Sequence, residues 1–217
     1  GVFSCPYHGW SFSGDGSLRG VAEAATFGTV DKSTHGLTQL PCYERGGFIF
    51  AVLTPGIEVN FAEFLGGMIE DIEALNFPSF TFCGTRDMQG ANWKVAYDGY
   101  LEGYHFAAAH PYSIYPRSFS NIMAFDFYGP HVVVGFPQRS IAKLKAVPEQ
   151  MRHQYENQGF DFVRLFFPNV SIFVAPELTQ IAQLLPGPTA DKNRTVVYYL
   201  HRENLQGEAR EQLEKTD

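Results

Sequence analysis

Hydrophobic and polar positions follow two different periods along this chain, and the change between them divides it into parts. In the first 55 residues, short runs of β-forming residues are separated by glycine-containing turns such as Ser13–Gly16. An Asp-Gly pair tolerates the positive φ of a tight hairpin, so this pattern predicts a small antiparallel β domain. The Pro55-Gly56 pair then interrupts the strand pattern, and we place a domain boundary after residue 55.

A helical period replaces the strand pattern in residues 61–76. A strand follows, and then a second helical segment from about Asn92 to Ala109, which ends before Pro111 because proline cannot continue a helix. In the first helical segment the apolar side chains recur three or four positions apart, at Phe61, Phe64, Leu65, Met68, Ile69, Ile72 and Leu75.

From about residue 121 the chain returns to β-branched and aromatic runs that proline and glycine interrupt. Two polar stretches, residues 140–158 and 206–217, have the composition of helices. The pattern as a whole predicts an α+β chain, with a small β domain over residues 1–55. Over residues 56–217 it predicts an antiparallel sheet with helices on one side.

Composition supports a large core and excludes some partners. Hydrophobic residues make up 45% of the chain, and 20 Phe and 11 Tyr indicate an aromatic core or the lining of an apolar cavity. The net charge is −7 and no run of Lys or Arg occurs, which argues against nucleic acid as a partner. No apolar run approaches the roughly 20 residues of a membrane span. Three widely spaced cysteines do not form a disulfide framework, so we expect a reducing cytoplasm.

The first candidate site is the pair Cys5 and His8, which lies within the sequence CPYHGW. A thiolate and an imidazole on one turn are half of a metal site, because both tetrahedral zinc and a [2Fe–2S] cluster take four protein ligands. Cys42 has no metal-binding residue at close spacing and does not complete the set. The alternative is a cysteine and a histidine that have no common role.

The second candidate site lies in the predicted helix from Asn92, where Asp98, Glu102 and His105 share one stripe. His110 is about 140° away on a regular helix, but Pro111 disfavours helical geometry there and could turn it back towards His105. With a further carboxylate, the two imidazoles would form a 2-His-1-carboxylate site for Fe(II). A di-iron site would need a second Glu-x-x-His, which the sequence lacks. The alternative is the polar face of an amphipathic helix.

The two motifs together resemble those of Rieske non-haem iron oxygenases, in the large (α) subunit of aromatic ring-hydroxylating dioxygenases. CPYHGWSF followed by DGSL is similar to the second half of the Rieske motif. Asn-Trp-Lys followed by Glu-x-x-His-x4-His resembles the helix that binds the mononuclear iron. The motifs occur in the family's order, about a hundred residues apart, and the resemblance extends over the whole chain.

The resemblance implies a role for each matching residue. Cys5 and His8 would each bind one iron of a [2Fe–2S] cluster, and His105 and His110 would bind a mononuclear Fe(II). Glu102 would carry electrons between subunits by bridging the cluster histidine of one subunit and the iron histidine of its neighbour; the family more often has Asp there.

Three further features of the family pattern concern Asp98 and the ligands that have no match in this chain. Asp98 matches a position near the iron, where it is either a pocket residue or a helix carboxylate bonded to nearby backbone. The family's upstream Cys-x-His pair and its downstream third iron ligand, an Asp, have no match in this chain. Because the chain begins at Gly1, beside the motif, we expect a part of a longer protein. Residues 1–217 alone should be inactive and lack Rieske absorption.

The resemblance also implies a fold and a reaction. Residues 1–55 would be the end of a Rieske β domain, and residues 56–217 the front of a helix-grip (START/Bet v1-like) catalytic domain whose segment 162–188 lines the substrate pocket. The expected reaction is O₂-dependent hydroxylation of a small apolar aromatic substrate, with NAD(P)H electrons from a reductase and, in some systems, a ferredoxin. The subunits would form a homotrimer or an α3β3 assembly.

Two alternatives to ring hydroxylation follow from the same residues. The first is a Rieske monooxygenase or demethylase that acts on a non-aromatic small molecule such as a quaternary amine. The second belongs to another class, a metal-free ligand carrier with the helix-grip fold. Three metal-type side chains on one helix argue against the carrier.

Overall fold

A computed structural model describes residues 1–154, 159–175 and 178–202 of the chain. The internal contacts divide the chain into two units after Phe61, whereas the sequence predicts the boundary after residue 55. Within the described ranges, no helix is both long enough and apolar enough to cross a membrane.

The first unit contains two small antiparallel sheets. The predicted hairpin at Ser13–Gly16 is confirmed: Gly16 has φ +86°, and the Asp15 carboxylate accepts hydrogen bonds from the backbone N–H and hydroxyl of Ser17. The strands are β1 (Val2–Ser4), β2 (Ser11–Ser13) and β3 (Leu18–Gly20) in one sheet, and β4 (Cys42–Arg45) and β5 (Phe48–Ala51) in the other.

The second unit is built on one seven-stranded sheet in which every pair of neighbours is antiparallel. The strands are β6 (Thr81–Gly90), β7 (Ala124–Tyr128), β8 (His131–Pro137), β9 (Phe160–Phe166), β10 (Val170–Val174), β11 (Thr179–Pro186) and β12 (Asn193–His201). Their spatial order is β6-β12-β11-β10-β9-β8-β7. The sheet therefore confirms the α+β class predicted from the sequence.

The α-helices are shorter than predicted. Residues 61–76 form two helices because Gly66, at φ +51°, interrupts the helical backbone. Residues 140–154 contain two 3₁₀ segments, Arg139–Ala146 and Glu149–Gln154, and the helix predicted over 206–217 lies outside the described residues. The α-helices are α1 (Phe61–Leu65), α2 (Met68–Leu75), α3 (Trp93–Gly99) and α4 (Phe106–Ala109).

Helices cover both faces of the sheet. Tyr97 of α3 and Phe106 of α4 pack on the inner face, which is formed by Val134, Phe136, Val163, Leu165 and Leu184. The outer face carries His131 and Arg164. Arg164 donates to both carboxylate oxygens of Asp71 in α2. The expectation of helices on one side is therefore wrong. Every residue of β8 is buried, so the strand has a packed layer on each of its two faces.

On the outer face, the side chain of His131 in β8 forms hydrogen bonds with α1 and with Phe167. Its ring is fully buried: Nε2 donates to the Phe64 carbonyl of α1, at 2.9 Å, and Nδ1 accepts from the Phe167 backbone N–H, at 3.0 Å. Both nitrogens are thus satisfied by the neutral imidazole. Burial lowers the pKa of His131 below its usual 6.5, and the hydrogen bond to Phe64 opposes that shift.

We predict that His131 makes the second unit less stable as the pH falls below about 6.5. The unfolded chain then binds a proton that the folded chain excludes, so the free energy of unfolding decreases, by up to about 1.4 kcal/mol per pH unit, until the lowered pKa is reached. His131→Gln retains one donor and one acceptor but does not titrate. Urea unfolding between pH 5 and pH 8 should therefore show a flatter pH dependence. His201→Gln is the control, and an equal flattening there would contradict the prediction.

Candidate metal centre

The segment from Asn92 to His110 forms two short helices joined by a turn. The Asn92 side chain caps α3 by accepting from the Lys94 backbone N–H at 2.8 Å. The helix ends at Gly99, and α4 begins only at Phe106. The prediction of one helix across this segment, with three polar side chains on one stripe, is therefore wrong.

Glu102 explains why the helix does not continue. Its Oε2 accepts from the backbone N–H groups of Tyr104, at 2.6 Å, and His105, at 3.3 Å, and its Oε1 bonds the Nδ1 of His105. A side chain that binds the local backbone competes with helical hydrogen bonding and favours a turn. The carboxylate thus fixes both the turn and the orientation of the His105 ring.

The same bonds determine the charge of Glu102. Partial desolvation raises its pKa, but the hydrogen bond and charge of His105 and the two backbone N–H groups together hold it below the usual range. Glu102 therefore remains a carboxylate at neutral pH.

His110 lies beside His105, as the sequence suggests. Its backbone, at φ −126° and ψ 45°, has left the helical region ahead of Pro111. The ring centroids of His105 and His110 are 5.3 Å apart, and Phe106 contacts both rings at 5.0 and 6.3 Å. The break at the end of α4 thus brings together two imidazoles that a regular helix would separate.

Both imidazoles line a cavity of about 630 Å³ between α3, α4 and the inner face. Val163, Phe173 and Gln180 also line it, as expected for the segment 162–188. The wall contains the aromatic residues Tyr100, Phe106, Phe136 and Phe173, the polar residues Gln89, Ser118, Gln180, Asn193 and Thr195, and the charged residues Glu102, Arg117 and Asp161.

The sequence did not identify Arg117 and Asp161 as site residues. They lie on a loop and on β9, 44 positions apart by their numbers (161 − 117), and neither belongs to a motif. Their spacing carries no periodic signal, so only the pairing of strands could bring them to one cavity.

Asp98 does not join this group. Its side chain is exposed and is not among the residues that line the cavity. Burial raises the pKa of the neighbouring Tyr97 to about 12, and the charge of Asp98 adds to the effect.

The histidine pair fits a mononuclear metal ion in two respects. Because Glu102 holds Nδ1 of His105, the Nε2 of that ring is the nitrogen left for a metal, which is the usual arrangement around a histidine ligand. Metal–nitrogen bonds of about 2.1 Å allow two rings at this separation to share one ion. Within the ranges that the structure describes, no three His, Cys, Asp or Glu side chains are grouped to hold a metal. A metal ion held by this pair would therefore need further ligands.

In the first unit, Cys5 and His8 lie on a single tight turn. The Gly9 N–H donates to the Cys5 carbonyl at 2.9 Å, and Gly9 has φ +70°. Both side chains are exposed and line a second, largely apolar cavity, of about 550 Å³, together with Trp10 and Phe27. Thiol and imidazole are thus presented together at one loop.

The fold is similar to that of solved oxygenase structures. The second unit has the mixed α+β architecture with an antiparallel sheet that is found in catalytic domains of Rieske oxygenases. The whole chain superposes on the quaternary ammonium Rieske monooxygenase CntA with a TM-score of 0.75 at 19% identity, covering 99% of this chain and 56% of that one. At this identity the likeness shows the fold alone.

The sequence establishes the family. Residues 79–216 match the family described as "Ring hydroxylating alpha subunit (catalytic domain)", and the chain belongs to that family. Choline monooxygenase of Beta vulgaris is 27% identical over 95% of this chain and 46% of that protein. The carnitine monooxygenase oxygenase subunit of Acinetobacter baumannii is 34% identical over 51% of this chain and 30% of that protein. The chain thus spans about half the length of the first relative.

We predict that Gly103→Ala disturbs the turn, whereas Gly99→Ala does not. A Cβ at Gly103 would lie 3.0 Å from Phe106 and 3.2 Å from Phe136, but at Gly99 it would meet nothing within 4 Å. Gly103→Ala should therefore lower the free energy of unfolding by about 1–3 kcal/mol. Gly99→Ala should raise it by about 0.5 kcal/mol, because alanine loses less conformational entropy in a helix.

Urea unfolding followed by circular dichroism measures both changes. Equal stability of the two variants would contradict the assignment of Gly103 to a close approach between the turn and the sheet.

Proposed function

We propose that this chain is part of the α subunit of a Rieske non-haem iron oxygenase that oxidises a small quaternary amine with O₂. The observation that carries the proposal is the pair His105 and His110, which line one cavity while Glu102 holds the Nδ1 of His105. A metal-free carrier has no use for an imidazole pair oriented in this way. The family to which the chain belongs also supports an oxygenase α subunit.

Each of these side chains has a distinct role in the proposal. His105 and His110 hold the Fe(II), which supplies O₂ binding and activation when bound. Glu102 keeps the His105 ring in one tautomer and one orientation. The aromatic cavity wall holds the substrate beside the imidazoles and excludes water.

Electron delivery gives the first unit its role. We assign it to the C-terminal part of a Rieske domain, in which Cys5 and His8 bind a [2Fe–2S] cluster that a reductase or a ferredoxin reduces. Histidine ligands raise the potential of such a cluster above that of an all-cysteine cluster. Glu102 is 41% exposed in its side chain, so it can accept a hydrogen bond from the cluster histidine of a neighbouring subunit. This path requires an oligomer, and we propose a trimer of α subunits. The helix-grip description of the second unit belongs to the same proposal.

The proposed substrate class departs from the hydroxylation of an aromatic ring. The two relatives named above are monooxygenases of choline and carnitine, which are quaternary amines, so they support the monooxygenase alternative better. The cavity is compatible with such a cation. Aromatic faces attract quaternary ammonium groups, and Phe106, Phe136 and Phe173 line the wall.

We predict that His105→Ala in the full-length protein removes the mononuclear iron but retains the Rieske absorption. Loss of one imidazole weakens the iron site, while the cluster ligands lie in the other unit. Iron analysis together with the visible spectrum measures both centres. His201→Gln, on β12 and outside the cavity lining, should retain both. Equal iron content in His105→Ala and the unmodified protein would contradict the assignment.

We also expect the full-length protein, supplied with a reductase and NADH, to consume O₂ with choline or L-carnitine and not with benzoate. Oxygen uptake coupled to product formation separates turnover from uncoupled reduction. Hydroxylation of benzoate without oxidation of either amine would restore the aromatic-ring alternative.

A further inference from the structure

The cavity contains a pair of opposite charges that the proposed iron site does not use. Asp161 of β9 and Arg117 both line the wall, and Arg117 Nε lies 3.9 Å from Asp161 Oδ2, which is too long for a hydrogen bond. The Asp161 side chain is 17% exposed and that of Arg117 is 54% exposed. So loose a pair contributes little to stability, and each charge remains able to meet a ligand.

Asp161 is held rigidly by neutral donors. Its carboxylate accepts from the fully buried Ser118 hydroxyl at 3.2 Å and from the Gln138 amide at 2.8 Å. The Ser140 hydroxyl in turn donates to the side-chain amide oxygen of Gln138 at 3.0 Å. The charge is thus oriented towards the cavity before a ligand arrives. A quaternary ammonium, which has no N–H to donate, interacts with such a carboxylate through its charge alone.

An aromatic wall connects Asp161 to the imidazoles. Phe136 of β8 is its direct cross-strand neighbour, so the two side chains lie on the same face of the sheet. The Phe136 and Phe106 ring centroids are 5.0 Å apart, and Phe106 lies 6.3 Å from His110. A cation beside Asp161 therefore contacts phenyl surface that leads to the histidine pair, as cation–π binding requires.

Arg117 decides which quaternary amine fits best. A simple cation would gain from Asp161 but would be repelled by the guanidinium a few ångströms away. A molecule that carries both an ammonium and a carboxylate meets complementary charges at both residues. Resting on the proposed function, we infer that this site selects zwitterionic quaternary amines, with Asp161 beside the ammonium and Arg117 bound to the carboxylate.

The test compares ligands of different charge: choline and its uncharged carbon analogue have the same shape, and L-carnitine adds a carboxylate. Isothermal titration calorimetry with the iron-loaded full-length protein would use L-carnitine, choline and 3,3-dimethylbutan-1-ol, the uncharged carbon analogue of choline. Asp161→Asn retains the shape of the side chain and an oxygen acceptor but removes the charge. It should weaken L-carnitine and choline about tenfold and change the neutral alcohol less than about twofold.

Arg117→Gln separates the two charges of the ligand. It should weaken L-carnitine about fivefold and strengthen choline, because the repulsion from the guanidinium is gone. Asp126→Asn removes an exposed charge from β7, away from the cavity lining, and should leave all three affinities unchanged.

Two results would overturn the inference while the proposed function stands. One is an equal loss of all three ligands in Asp161→Asn, which would mean that the residue only supports the wall. The other is an Arg117→Gln effect that is the same for choline and L-carnitine. Failure of the unmodified protein to bind either amine would instead overturn the proposed substrate class, and this inference with it.

Discussion

The hydrogen bonds of the Glu102 carboxylate determine the geometry of the whole site. One oxygen binds two consecutive backbone N–H groups and the other binds the Nδ1 of His105, so a single side chain holds the turn after α3 and orients an imidazole. On a regular helix through this segment, His105 and His110 would point in different directions. The proposed iron site therefore depends on an interaction that is local in sequence and made largely with the backbone.

The sheet forms the part of the cavity wall that the turn does not provide. Gly103 lies so close to Phe106 and Phe136 that a side chain there would crowd both rings where the turn packs on the inner face. Because α1 and α2 cover the outer face, β8 is buried on both sides, and His131 of β8 and Arg164 of β9 bond the sheet to those helices. One strand of the cavity wall is therefore packed on both of its faces, which would suit the proposed binding of a small substrate.

The charges in the cavity divide between two tasks. Glu102 is committed to His105 and the turn, whereas Asp161 is held by neutral groups and keeps its charge available. This division would allow one cavity to hold both the proposed metal ion and the proposed charged ligand. A carboxylate shared between the metal site and the ligand would interact more weakly with each of them.

The sequence by itself determined the family, the order of the two motifs, the α+β class and the pairs Cys5–His8 and His105–His110, because these depend on short spacings and on residue chemistry. It also indicated the end of the helix at Pro111. Only the tertiary structure decided that α3 and α4 are separate, that Asp98 is exposed, that helices cover both faces and that Asp161 meets Arg117. Helical periodicity shows only which positions of a segment face the core on average. A turn held by one carboxylate, and a charge pair between a loop and a strand far apart in the sequence, leave no periodic trace.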